Sequence, residues 1–320
     1  MRTLLALCFA LMASLAHADV VLGLVANRGV DETRLDWEPI AEDLSRQLGE
    51  PVRVLASKNE ADLLLRLQAG EIDLLRGSTQ LALQAVESGS GDIFARLVLT
   101  GRIAEYRSLL LVRQNGPVTL DELLKRNGQL RYASGSPGST AGSLIPGYHA
   151  FARNNVLPER FFRSVTTGNS EDRFRALIEN RVDVATSNSD DLIKLAEKYP
   201  RDFKQVRVLW ESPKFSYDPL VLRRGLSASR KDKITRFFLD YGRKGAQATR
   251  EKERLYYADQ LDGFLASTNR QLREVTDLQL FDALFRLTLE DKLVAPSRAE
   301  REKTLYRRYD QLSALLGGAR

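Results

Sequence analysis

The chain has 320 residues, 48 basic against 42 acidic side chains, a net charge of +6 and a single cysteine, Cys8. Beyond the N-terminal segment it has no cysteine and one histidine, His149, which excludes disulfides and any His/Cys metal site. The charges are scattered. With no finger pattern, no aromatic-basic RNA motif and no dense basic stripe, nucleic-acid binding has no support, whereas a solvated surface or an anionic ligand fits.

Residues 1–18 are expected to be a cleaved signal peptide. Arg2 supplies the positive start, residues 4–15 an apolar run, and Ala16-His17-Ala18 a small-x-small cleavage site. The run is shorter than the roughly 20 apolar residues that a permanent span requires. Leu7 before Cys8 is not the small residue that a lipid-attachment box needs. The expected mature chain starts near Asp19 and runs to about 300 residues, a length that usually divides into two domains.

From there short apolar strands alternate with amphipathic helices. Residues 20–25 read as a strand, 37–48 as a helix after a polar loop at 27–33, 52–56 as a strand, 61–67 as a helix and 72–75 as a buried strand. A second cycle follows residues 109–112. Residues 120–125 read as a helix, 130–134 as a strand, 139–154 as a helix, 182–186 as a strand, 190–198 as a helix and 206–210 as a strand. Residues 220–223 carry the chain back. Two cycles joined by two crossings imply an α/β fold: a two-lobed clamp, each lobe a mostly parallel sheet flanked by helices. Lobe 1 is expected to hold residues 19–112 plus 213–320, and lobe 2 residues 113–212. From Arg230 the pattern is helical, with apolar faces at Phe237, Phe238 and Tyr241, at Leu278, Phe281 and Phe285, and over residues 305–316.

The stretch Tyr132-Ala133-Ser134-Gly135-Ser136-Pro137-Gly138-Ser139-Thr140-Ala141-Gly142 carries the chemistry. A strand ends, a Gly/Ser/Pro turn follows, and a helix begins at Ser139-Thr140. The first amides of a helix lack internal partners and point along the positive end of its dipole, where an oxyanion can accept them. Ser and Thr are also ordinary helix caps, so the turn alone is compatible with both uses. No Gly-Lys-Ser/Thr follows, which excludes a nucleotide P-loop, and no histidine accompanies a nucleophile elbow. His149 lies more than two turns into the helix, where packing explains it better than catalysis.

Ser136-Pro137-Gly138-Ser139-Thr140-Ala141-Gly142-Ser143-Leu144-Ile145-Pro146-Gly147-Tyr148 resembles the Asp-Pro-Asn-Ser-Thr-Ser-Gly-x-Leu-Val-Pro-Gly-Tyr segment of the periplasmic phosphonate-binding proteins of ABC transporters. The stretch from Val182 to Leu192, Trp210-Glu211-Ser212-Pro213 with Asp218-Pro219-Leu220-Val221, Phe237 to Gly242, and Asp277 to Leu280 are similar to further family segments in the same order. The resemblance implies a type II-like periplasmic binding protein with a helical C-terminal tail. It also implies a small phosphorus oxyanion ligand, an inner-membrane permease as partner, a periplasmic location, a monomer, and neither a cofactor nor catalysis.

By the same resemblance, Ser139 and Thr140 match the first two anion-binding residues, and Ala141 the third without its hydroxyl. Tyr106 matches a cleft tyrosine, Asp190 falls where a Glu meets a ligand amine, and Asp218 falls on a matching Asp. Asp190 as a helix cap and Asp218 as a hinge brace are the plain alternatives. The chain departs from the pattern at Glu60, in place of a second cleft tyrosine, at Arg76-Gly77-Ser78, and at Asn169 or Ser170, in place of a histidine. Arg76 is expected either to bind the oxyanion or to pair with Glu60. The same clamp reporting to a membrane sensor kinase is the alternative function, separable by neighbouring permease or kinase genes. A carboxylate hydrolase is a third reading, testable by phosphonate turnover.

Overall fold

The computed structural model describes residues 19–26, 29–101, 104–137, 139–290 and 295–317. The expected signal peptide, Asn27 of the expected loop and Gly138 of the Ser/Gly turn lie outside the described residues.

The first sheet grows from β1 (Val20–Val25), buried along its whole length. Val20, Leu22 and Leu24 enter one apolar cluster, and Val21 and Val25 a second on the opposite face. This is the period-two signature of a strand covered on both sides. Helix α1 (Val30–Leu48) puts Trp37, Ile40 and Leu44 into the first cluster. It starts well before the expected Trp37, because the acidic first turn of Asp31 and Glu32 suits a helix N-terminus even though its apolar residue, Val30, is exposed. It also runs through Pro39, at the cost of one backbone bond.

β2 (Val52–Ser57), α2 (Glu60–Ala69) and β3 (Leu74–Arg76) complete the expected β-α-β-α-β unit. β2 and β3 both pair with β1 in parallel, Val20 facing Val52 and Leu22 facing Leu74. α3 (Thr79–Glu87) and β4 (Gly91–Leu99) come next, and neither is among the elements expected from sequence.

The second sheet contains β5 (Glu105–Arg113), β6 (Arg131–Ser134), β7 (Ser164–Thr167), β8 (Val184–Asn188) and β9 (Val206–Ser216), in the order β7-β6-β8-β5-β9. Its helices are α4 (Leu120–Leu124), α5 (Pro158–Phe161), α6 (Ser170–Ile178), α7 (Ser189–Lys198) and α8 (Pro200–Phe203). Leu109, Leu111, Ala133 and Ala185 face one apolar cluster, and Leu110, Val112, Tyr132 and Val184 another. The chain then returns to the first sheet through β10 (Pro219–Arg223) and β11 (Leu261–Ala266), giving the order β11-β4-β10-β3-β1-β2. Helices α9 (Ala228–Asp240), α10 (Ala248–Asp259), α11 (Arg273–Thr288) and α12 (Ala295–Leu315) complete the chain.

The two-sheet α/β architecture and its helical tail are those expected, but the sheets are mixed rather than mostly parallel. β10 lies antiparallel to β3 and β4, β11 antiparallel to β4, and β5 antiparallel to β8 and β9. Strands that arrive by a crossing, rather than through a βαβ unit, are free of the constraint that makes their neighbours parallel. The chain crosses between the sheets after β4 and again at residues 217–218. All of β5 and β9 therefore pair in the second sheet, although the crossings expected at 112/113 and 212/213 fall inside these strands.

Candidate functional site

Ser139 opens the segment that follows β6. Its hydroxyl accepts from Gly142 N at 3.0 Å, while its carbonyl accepts from both Ser143 N and Leu144 N. The bond to Leu144 is an i→i+5 contact, and residues Thr140–Leu144 and Gly147–Phe151 form π-helical turns rather than the regular α-helix expected. Such widened turns are rare and recur at functional sites.

The amide of Ser139 is used on Ser136 O, at 2.8 Å, whereas those of Thr140 and Ala141 donate to nothing among the described residues. The two glycines act on each other: Gly135 N donates to Gly142 O, and a Cβ on Gly135 would lie 2.8 Å from Gly142 Cα. Ser108 of β5 anchors the turn from beneath, its Oγ donating to Ala141 O at 2.6 Å.

Two residues along β5, Tyr106 sits at the joint between the sheets, its ring 5.4 Å from that of Tyr217. Burial and the carboxylates of Asp218, Asp190 and Glu274 push its phenol far above the ordinary range. Tyr217 and Asp218 form the second crossing. Tyr217 is buried, its hydroxyl makes no well-formed hydrogen bond among the described residues, and burial followed by Asp190 pushes its phenol up as well. Burial also raises the Asp190 carboxyl. Asp190 does not cap α7: Asn188 does, accepting from Asp190 N and Asp191 N, so the Asp190 carboxylate is left for other work.

Asp218 accepts from Thr79 Oγ1 at 3.4 Å and is raised by burial, with nearby Arg76 opposing the rise and Glu60 adding to it. Glu60 takes the hydroxyl of Ser78 at 2.8 Å. Arg76 does not pair with Glu60: it bonds Asp259 at 3.0 Å and Val25 O at 3.3 Å, inside the first sheet's own core, and its Nε is buried without a partner. Ser170 is the first residue of α6, and its buried Oγ also lacks a partner.

The sequence-derived residues thus fall into two groups. Ser139, Thr140 and Ala141 form an amide-lined turn on the second sheet. Tyr106, Asp190, Asp218 and Glu60 form an acidic and aromatic group around the crossings. His149, whose Nε2 has no partner, packs against the rings of Tyr148 and Phe215, and burial lowers its pKa. Among the described residues no group of three or more His, Cys, Asp or Glu side chains is placed to hold a metal ion. Cavities of about 1050 and 580 Å³ open elsewhere, around the linker between α9 and α10, and contain none of these residues.

Residues 22–272 match the family described as the ABC transporter, phosphonate, periplasmic substrate-binding protein. The chain is also 33% identical over 276 residues to the phosphonates-binding periplasmic protein of Escherichia coli (strain K12), covering 84% of this chain and 80% of that one. The chain belongs to this family.

A binding-protein component of an ABC phosphonate transporter from Pseudomonas aeruginosa has the same architecture, with a TM-score of 0.74 at 29% identity over 92% of this chain and 96% of that one. A Prochlorococcus marinus protein solved with methylphosphonate shares the fold at a TM-score of 0.65 and 16% identity, over 81% of this chain and 96% of that one. Members of the family are periplasmic substrate-binding components of transporters. Among the described residues no helix is long and apolar enough to cross a membrane.

Sequence reasoning overlooked Tyr217, Ser108 and Arg173. Tyr217 adjoins Asp218, and this neighbour was its only signal. Ser108 interrupts an apolar strand. Arg173 occupies the buried stripe of α6 with Phe174 and Leu177, and a charge on an apolar face is a legible anomaly.

Proposed function

We propose that this chain captures a phosphonate or a related phosphorus oxyanion between two lobes and hands it to an inner-membrane ABC permease. The lobes follow the sheets, residues 19–99 with 219–317 forming one and 105–216 the other. The observation that carries this reading is the pair of amides at Thr140 and Ala141 that donate to nothing among the described residues, opening a helical segment inside the stretch that most resembles the family. The names borne by the Escherichia coli and Pseudomonas aeruginosa relatives support the choice of ligand.

An oxyanion at this turn would accept both amides and the Thr140 hydroxyl, in charge-assisted bonds each stronger than a neutral one. Ala141 contributes its amide alone. Ser170 would stand near the anion, while Tyr106, Asp190, Asp218 and Glu60 would meet the organic substituent. Arg76 would act on Asp218 from behind rather than touch the ligand. In this reading the protein is a monomer released into the periplasm after leader cleavage, and it binds without transforming its ligand.

The test is thermal. Ligand at a hundred times its Kd adds about 2.7 kcal/mol to the stability of a protein that binds only when folded. The mature protein should therefore melt several degrees higher with at least one of methylphosphonate, 2-aminoethylphosphonate, phosphite and phosphate. Thr140→Asp, which sets a fixed negative charge at the anion's place, should abolish the shift. Silence towards all four anions would contradict the function, and an undiminished shift in the variant would move the site elsewhere.

A further inference from the structure

Arg173 is a buried cation without an ion-pair partner. It is 6% exposed, and among the described residues its guanidinium bonds backbone carbonyls rather than a carboxylate. Buried charges are normally neutralised by a contact partner, because an uncompensated one is costly to desolvate. Here the guanidinium has only carbonyl dipoles: Nε donates to Thr186 O at 2.8 Å and Nη1 to Gly168 O at 2.5 Å.

Those two carbonyls define where it sits. Thr186 is in β8 and Gly168 directly follows β7, and these strands flank β6 on either side. Gly168 N donates in turn to Ser134 O, the last residue of β6. A planar group bonded to both neighbours therefore bridges the carboxyl end of β6, the point from which the Ser139 turn departs. Ser170, one helical turn before Arg173 on α6, carries the buried hydroxyl that lacks a partner.

The charges that bear on Arg173 are Asp191 from α7 and Asp172 on its own helix, both attractive and neither paired with it among the described residues; the Tyr132 phenol of β6 beside it is neutral, burial pushing its pKa up. β8 brings no charged side chain, and Arg113 of β5 lies at the other end of α6, bonded to Leu177 O and Asp183. Burial lowers the Arg173 pKa, yet an arginine in this position stays charged.

We propose that Arg173 is a positioning residue for charge: from behind the Ser139 turn it supplies the positive potential that makes the site prefer a doubly ionised oxyanion over the singly ionised form. This rests on the oxyanion reading above. The bound dianion completes the pairing that the apo protein leaves open. Amide hydrogen bonds alone would hold both ionisation states with less discrimination than a full positive charge adds, because an amide carries only a partial charge.

The test is the Kd for methylphosphonate, by calorimetry, at a series of pH values spanning its second ionisation. Wild type should bind the dianion on the order of tenfold more tightly than the monoanion. Arg173→Met, a near-isostere of the kind that buried ion groups often tolerate, should bind both forms within about twofold of each other, and Arg173→Lys should restore most of the preference. A structural brace would instead lower melting temperature and leave the pH profile of Kd unchanged, and that result overturns the proposal. So would failure of both Arg173→Met and Arg173→Gln to fold, since the residue would then be needed for the strand ends themselves. If wild type binds no methylphosphonate, phosphite or phosphate at any pH, the oxyanion reading itself fails, which is a separate outcome.

Discussion

A methyl group on Gly142 would lie 2.8 Å from Ser139 Oγ and 2.9 Å from Gly135 Cα, both closer than real side-chain contacts allow. Because Ser139 Oγ also accepts from Gly142 N, the collision falls on the bond that shapes the anion turn. Gly142→Ala should therefore cost about 1–3 kcal/mol of overpacking and weaken oxyanion binding at least tenfold; a titration giving wild-type affinity would contradict this role for the turn. At this scale the sequence was partly legible. Ser139 and Thr140 stood out as cap residues after a Gly/Ser/Pro turn, a pattern that also fits a helix start with no ligand. The glycines at 135 and 142 let the two backbone segments of the turn approach each other. The expected pairing of Arg76 with Glu60 gave way to Asp259 at the end of α10, which is distant in the chain and which no local pattern announces.

The β6–β8 pair carries a staple of its own. Asp183, just before β8, accepts from Arg131 N, Nε and Nη2 at 2.9 Å and from Arg113 Nη2 at 2.8 Å. Parallel strands have no tight turn to fix their register, and this carboxylate holds Tyr132 opposite Val184. Burial alone would raise its pKa, but the bonds from Arg131 and Arg113 prevail and bring it down to about 2. A depressed carboxylate stabilises the fold above its unfolded pKa, near 4, and loses that contribution as pH falls through its folded value near 2. Allowing for partial solvent screening, the contribution is about 1–2 kcal/mol. Asp183→Asn should thus melt lower than wild type at pH 7, with the gap closing as the pH falls towards 2; a gap independent of pH would mean that the charge is not the cause. Element identity was legible wherever apolar spacing was regular, as in β1 to β3. β4 was missed although it alternates, with Asp92 and Arg96 on its more exposed positions, and strand direction and π-helical winding leave no periodic trace.

Across the whole molecule, the two sheets were foreseeable from two successive α/β cycles, but their coupling was not. Helix α11 begins one residue beyond the family match and reaches the second sheet's side. Leu278 packs with Ile145 and Phe215, Phe281 meets the Tyr148 ring at 4.6 Å, and Arg286 pairs with Glu159 at 3.0 Å. Tyr106 lies at this junction, within the field of carboxylates from α7, from the second crossing and from α11. A negative tetrahedral group drawn to the Ser139 turn would therefore sit near the place where three segments distant in the chain meet, a placement suited to a hinged clamp.

Titrating the labelled protein with methylphosphonate while following backbone amide resonances reads this arrangement directly. The Thr140 and Ala141 amides should show the largest downfield proton shifts as they gain an anionic acceptor. If both stay fixed while amides elsewhere respond, the anion is held at another place and the account is wrong.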